Sequence, residues 1–407
     1  MSKGYPTIEY SEEVMREGMQ IENASIPVED KVALLDALSQ TGLKQIAVGS
    51  FVSPKYTPQM REIEAVLERF TPREGVIYTA LVLNQKGRDR AAPFSPPLTF
   101  LQDSRPILGV HLCDVFTRRN TNRSQMDEMA AWPGAIRRAV ERGVTESTIG
   151  VNAAFGSNFL GDFDPEVVIR FLHRQAELWE EADILPTAAW LGDPMGWCHP
   201  EKVATIFDYI KCTWPRINRF GLHLHNSRGM ALSSAYAGIK ALNQGDTLRM
   251  QGTLGGIGGC PYCGNGRATG MAATEDFLHM LDGMGIETGV DLDKIVECVW
   301  MLEEMIGRQG WGHVSRCGPR PMRPGALYDP NMPFVETVEE AAHFRKGAAL
   351  YEGNIRPWKA AITSPYRDRV LRGEASYEPG GAWPWTESFF PTSDDVNRAL
   401  TEVPGDG

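Results

Sequence analysis

The 407-residue chain contains no run of 18 apolar residues, so no segment has the length and hydropathy of a membrane-spanning helix. Its first residues, "MSKGYPTIEY", have neither the apolar core of a secretory signal nor the Arg-rich amphipathic character of a transit peptide. A cytoplasmic location is the expectation. Basic residues are in deficit: the formal net charge is −11, which argues against nucleic acid or an anionic membrane as the main partner. Cysteines are few, odd in number at seven, and lack the spacing of a disulfide scaffold or a zinc finger. Reduced thiols fit that usage. Internal repeats and low-complexity tracts are also missing. What remains is an ordinary soluble composition, 42% hydrophobic and 23% charged, with enough apolar residues for a sizeable core.

Short β-rich apolar runs recur along the chain, each followed by a helical pattern. They are "PTIEY" at Pro6, "KQIAVGSF" at Lys44, "VIYTALVL" at Val76 and "PILGVHLCD" at Pro106. The series continues with "STIGVNAAF" at Ser147, "ILPTAAWLGD" at Ile184, "RFGLHLHN" at Arg219 and "LRMQGTLGGIGG" at Leu248. Runs spaced roughly 30 to 40 residues apart are the rhythm of βα units in a parallel sheet. The first connecting helix shows the pattern well: Pro27 at its start, an apolar stripe of Val28, Val32, Leu35 and Leu38, then Gly42 as a stop. Eight units favour a closed (β/α)8 barrel, and no glycine-rich fingerprint follows the first run as an open dinucleotide-binding sheet would require. In a barrel, chemistry sits at the carboxyl ends of the strands. Asp114 follows the fourth run, Asp193 the sixth, and a Gly-rich turn the eighth.

The seventh run ends in "GLHLHN". Side chains alternate along a strand, so His223 and His225 share one face while Leu222 and Leu224 take the other. Two readings stand: hydrogen-bonded core histidines, or imidazole ligands to a metal, which need a carboxylate from elsewhere. After the first run comes "MREGMQIE", where Arg16 and Glu17 are adjacent and Gly18 permits a tight turn. Taken alone, that pair reads as a surface ion pair.

Together, "REGMQIE", "SFVSPKYTPQM", "VFTRRNTNRS", "LGDPMG", "HLHN", "GGIGGCPY" and "ATEDFLHMLDGMGIETGV" resemble the DRE-TIM metallolyases, and among them the 3-hydroxy-3-methylglutaryl-CoA lyases. The resemblance runs from about residue 14 to 310. It implies a TIM barrel in which Glu17, His223 and His225 hold Mg²⁺ or Mn²⁺, with Zn²⁺ or Co²⁺ also compatible with imidazole ligands. Arg16 would steady developing negative charge. Asp193 would take the hydroxyl proton, with His223 as its partner, and Cys260 would protonate the enolate carbon. Gln20 and Asn84 would contact an acyl-CoA thioester substrate, and the assembly would be a homodimer or a higher homo-oligomer. The remaining cysteines read as small buried hydrophobes.

Two departures mark this chain. Where those lyases carry an asparagine ligand after the Gly-rich turn, Met271 stands here, and the loop is two residues longer, which makes Asn265 the candidate replacement. Where they carry an acidic residue on the second strand, this chain has Ala47. The expected activity is cleavage of a branched 3-hydroxyacyl-CoA to an acyl-CoA and a keto product. A Claisen-type synthase adding acetyl-CoA to a 2-oxo acid, and a metal-binding scaffold without catalysis, are the alternatives. The expected layout is a catalytic barrel over residues 1–290, a helix packed on it over 291–320, and an irregular extension over 321–407. That extension, with Trp358, Trp383, Trp385, Phe389 and Phe390, is expected to cover the barrel mouth or a subunit interface.

Overall fold

The structure, a computed structural model, describes residues 4–100, 105–260, 262–263, 270–320, 372 and 392–401. The chain divides into two units, residues 1–319 and 320–407. In the second unit the described residues form one helix, Ser393–Thr401. The five aromatic residues expected to pack at the mouth lie outside the described residues.

The first unit is a TIM barrel. Seven parallel strands make one curled sheet: β1 (Thr7–Glu12), β2 (Gln45–Ser50), β3 (Ile77–Leu81), β4 (Glu146–Val151), β5 (Leu185–Asp193), β6 (Arg219–Leu224) and β7 (Thr247–Gly252). They lie in the order β3-β2-β1-β7-β6-β5-β4, so β1 pairs with both β2 and β7 and first and last strands meet. The fourth sequence run is the exception. Residues Pro106 to Leu112 touch β4 through bridges at Ile107–Thr148 and His111–Asn152, not as a continuous strand. Their backbone–backbone hydrogen bonds go to the β4 side, among them Thr148 N–H to Pro106 O and Asn152 N–H to Val110 O, each 2.9 Å, while His111 N–H and the Gly109 carbonyl pair with the side chains of Glu128 and Trp132. The neighbouring strand β3 is engaged by Leu98 and Thr99 instead. Pro106 has no N–H to offer a second ladder.

Helices alternate with the strands and cover the barrel. α1 (Val28–Ser39) buries Val28, Leu34, Leu35 and Leu38 inward, with Pro27 at its N-cap as the sequence pattern predicts. Gly42 follows with φ +93°, and a Cβ there would come within 2.3 Å of the Gly289 carbonyl oxygen, so both backbone angle and close approach demand glycine. Beyond the last strand, α2 (Leu292–Ile306) buries Ile295, Val299 and Leu302. No helix among the described residues is long and apolar enough to cross a membrane.

Candidate active site

The site stands at the carboxyl ends of β1, β5, β6 and β7. After β1 the chain makes one wide helical turn, Val14–Gly18, in which the Glu17 N–H donates to the Glu13 carbonyl at 2.7 Å. This turn brings Arg16 and Glu17 back over the barrel axis. Gly18 serves it differently from the sequence expectation: its φ of −61° is ordinary, and close approach by Val14 and Ile257 is what leaves no room for a larger side chain. Gly258 then packs on the Glu17 carbonyl, which a Cβ would meet at 2.6 Å, and this seats the Gly-rich turn directly on the Glu17 backbone.

Glu17 is buried, His225 is buried and His223 is half-buried, and one ligand atom from each lies within 4.8 Å of the others. His225 Nε2 stands 3.6 Å from Glu17 Oε1. That is too long for a good hydrogen bond. It matches two donors around one cation, each about 2.1 Å from it. The donor set of one carboxylate and two imidazoles fits a divalent ion, with positions left open for substrate oxygens. The surface-pair reading of Arg16 and Glu17 does not hold, because both side chains sit inside this cluster.

A ring of contacts surrounds the three groups. His223 Nδ1 lies 2.7 Å from Gln251 Oε1, and Gln251 Nε2 donates to Glu13 Oε1 at 2.8 Å. Glu13 Oε2 accepts from Arg16 Nε at 3.0 Å, and Arg16 Nη1 donates in turn to Glu17 Oε2. Because Glu13 only accepts, the Gln251 amide must turn its NH₂ toward it and its oxygen toward His223. Nδ1 of His223 therefore carries the proton, and Nε2 keeps its lone pair for a ligand. Burial alone would raise the Glu17 carboxyl, but Arg16, His225 and His223 outweigh it and hold the carboxyl below its ordinary value. Gln20 contributes a hydrogen bond to the same carboxylate. Burial pushes the Arg16 guanidinium down, while Glu17 and Glu13 push it up further and keep it charged.

Asp193 closes β5 fully buried, its two oxygens accepting from the N–H groups of Trp197 at 2.9 Å and Cys198 at 2.7 Å. Burial raises its carboxyl above the ordinary range despite those bonds. His225 N–H donates to the Asp193 carbonyl, which ties the two strand ends together.

Cys260 lies in a small apolar cluster with Cys113, Phe116, Ala153, Met195 and Cys263. Cys263, read from the sequence as inert, is its hydrogen-bonded neighbour, and that bond together with burial raises the Cys263 thiol well above its ordinary value. The loop end is fastened from three sides. Cys263 Sγ donates to Pro194 O at 2.9 Å, Asn158 Nδ2 to Cys263 O at 2.8 Å, and Arg119 Nε to Tyr262 O at 3.2 Å. Met271 is buried and forms an antiparallel bridge with His225, so a thioether stands beside the imidazole pair. Asn265 lies outside the described residues. Asn84 is exposed and caps the helix Gln85–Ala91, its side-chain oxygen accepting from Gly87 N–H at 2.9 Å. Asp114 is half-buried and paired with Arg118.

Behind the site two further carboxyls, Glu12 and Glu275, are fully buried and raised to about 8, chiefly by that burial. Glu12 accepts from Leu254 N–H at 3.1 Å and from Thr274 Oγ1 at 2.5 Å, and Glu275 accepts from Gly255 N–H at 3.0 Å. Together they pin the start of the Gly-rich turn.

Barrel and site together define a TIM-barrel lyase with a Glu–His–His centre at its carboxyl face. Residues 7–301 match the HMGL-like family, and the chain belongs to it. It is 32% identical over 295 residues to the hydroxymethylglutaryl-CoA lyase YngG of Bacillus subtilis, covering 72% of this chain and 91% of that one. It is 30% identical over 318 residues to the (R)-citramalyl-CoA lyase of Chloroflexus aurantiacus, covering 75% and 92%. An HMG-CoA lyase structure from Acinetobacter baumannii, in complex with coenzyme A and 3-methylmalate, superposes with a TM-score of 0.62 at 26% identity, over 79% of this chain and 98% of that one.

Proposed function

We propose that this protein is a divalent-cation-dependent carbon–carbon lyase that cleaves a branched 3-hydroxyacyl-CoA into an acyl-CoA, acetyl-CoA in the simplest case, and a keto product. The observation that carries the reading is the ring of contacts around Glu17, His223 and His225, which presents three acceptors to one point with Arg16 alongside. Mg²⁺ or Mn²⁺ is the proposed ion. A cation held there would supply Lewis acidity, lowering the pKa of a chelated substrate hydroxyl.

The chain's own groups supply the rest. Asp193 is the proposed base for the hydroxyl proton, and the burial that raises its carboxyl above the ordinary range makes it a stronger base. Loss of the proton collapses the alkoxide to the keto product, and the electron pair of the breaking C–C bond passes to the thioester enolate. Arg16 is proposed to face this negative charge, its guanidinium kept in place by Glu13 and Glu17. The Cys260 thiol then gives its proton to the enolate carbon. Met271 weighs against a fourth protein ligand from its own position, since a thioether is a poor ligand for a hard cation. The citramalyl-CoA lyase relative supports a lyase active on a substrate other than hydroxymethylglutaryl-CoA.

The test is a screen of CoA thioesters read by mass spectrometry, with and without a chelator. Cleavage of a 3-hydroxyacyl-CoA that stops with chelator and returns with Mg²⁺ or Mn²⁺ is the expected result. Robust release of CoA from acetyl-CoA plus a 2-oxo acid would establish the synthase reading instead. Inertness across the library with metal present would establish a scaffold.

A further inference from the structure

Below the Glu–His–His layer the barrel is hollow. A cavity of about 880 Å³ occupies the amino-terminal half of the lumen. Branched aliphatic side chains usually fill a barrel at this level. Here the wall carries Gly109, with open space over it, and Ala188, while Trp190 packs over Gly221. The wall is mostly apolar, with a few charged and amide groups set into it. Arg219 reaches across the space and donates to both oxygens of Glu9, at 2.8 and 2.9 Å, which uses that carboxylate. Arg105, also in the wall, is paired with Glu146.

Two donors are left over. Arg249 makes no hydrogen bond or ion pair among the described residues, and its Nε is shut off from bulk solvent. Gln45 Nε2 is in the same condition. Both line the hollow, and they stand on the two strands that flank β1, Arg249 in register with Glu9 and Gln45 in register with Ser11. A guanidinium Nε–H and an amide NH₂ shut off from solvent without an acceptor each carry a desolvation cost that an incoming acceptor would remove. Guanidinium also matches a planar or tetrahedral oxyanion with two parallel hydrogen bonds.

We infer that the amino-terminal half of the lumen is a binding site for a small oxyanion, held by Arg249 with Gln45 as a further donor. It is separate from the metal-ligand layer and does not depend on the lyase reading. Carboxylate and phosphate share the acceptor-only chemistry the two donors require.

The experiment is isothermal titration of the full-length, chelator-treated protein with sodium malonate and, separately, inorganic phosphate, at an ionic strength matched with sodium chloride. Thermal-shift measurements run in parallel. One site per chain and a rise in Tm beyond that in chloride are expected. Arg249→Gln should weaken binding at least tenfold, and Ala188→Leu, which fills the hollow and leaves the charge, should weaken it too. Mn²⁺ binding should be unchanged in both variants. Response to malonate alone assigns the site to carboxylates, and response to phosphate alone to phosphates. Equal behaviour in all three salts, or full binding by both variants, overturns the site.

Discussion

The two halves of one barrel lumen are built from alternate residues of the same strands, yet they end in opposite states. On β7, Gln251 is tied to His223 and Glu13, while Arg249, two residues earlier, has no partner among the described residues. On β6, His223 belongs to a ring of contacts, while Gly221, two residues earlier, makes room only for the Trp190 ring packed against it, and the cavity lies alongside. The upper half satisfies its polar groups among themselves and holds three acceptors ready for a cation. The lower half leaves donors waiting. A polar interior is thus an address for charge of one sign or the other, depending on which groups the chain leaves unspent.

The largest effect should come from the three acceptors. Glu17→Ala or His223→Ala should abolish cation binding and lower turnover by roughly a thousandfold or more, on the scale of about 4 kcal/mol. Mn²⁺ titration followed by electron paramagnetic resonance checks the first, and steady-state kinetics the second. A variant that keeps both would separate the ring from the chemistry.

An effect on stability and not on turnover comes from the pH dependence of folding. Glu12 and Glu275 are raised from 4.5 to about 8 on folding, so the native state holds protons that the unfolded chain has released. Stability from this pair is therefore greatest at low pH and falls as pH rises from 4.5 to about 8, by roughly 1 kcal/mol per unit for each carboxyl. Glu12→Gln with Glu275→Gln should flatten that slope in denaturant titrations across the range. An unchanged slope would move the proton uptake elsewhere.

Gln251 comes third. Gln251→Leu removes the acceptor that keeps the proton on His223 Nδ1, and cation affinity should drop about 10- to 100-fold. Gln251→Glu retains an acceptor and should recover part of it. Histidine nitrogen shifts in NMR spectra read the tautomer directly, so a merely structural defect would show unfolding without the Nδ1 to Nε2 change.

Much of the barrel and the gathering of Glu17, His223 and His225 was legible in the sequence because both are periodic or contiguous. Strand runs announced the βα units, His223 and His225 share a face by alternation, and Glu17 lies in a recognisable segment after the first strand. The partners were not legible. Glu13 and Gln251 are 238 residues apart, and only the parallel register that sets Ser11 against Gln251 brings them together. Nothing in a lone Gln or Asn separates the role of Gln251 from that of Asn84, which spends its oxygen on a helix cap. The fourth strand failed for a related reason: its composition is β-like, but its backbone meets another strand on one side alone, and side chains such as Glu128 and Trp132 take groups that a second ladder would use.

The smallest effect separates two thiols that stand three residues apart in one apolar cluster. Cys263 donates to Pro194 O at 2.9 Å and is held well above its ordinary thiol value by its bond to Cys260 and by burial, so it stays protonated and acts as a fastening for the loop. A serine hydroxyl can make the same bond to Pro194. Cys263→Ser should therefore leave turnover within about threefold of wild type, a difference below 1 kcal/mol. Cys260→Ser should lose most turnover while cation binding persists, because a hydroxyl is a far weaker acid than a thiol. Kinetics of both variants on one substrate, with Mn²⁺ affinity measured alongside, make the comparison. If Cys263→Ser falls as far as Cys260→Ser, the two thiols deliver the proton as a unit, and the cluster around them belongs to the chemistry and not only to the packing.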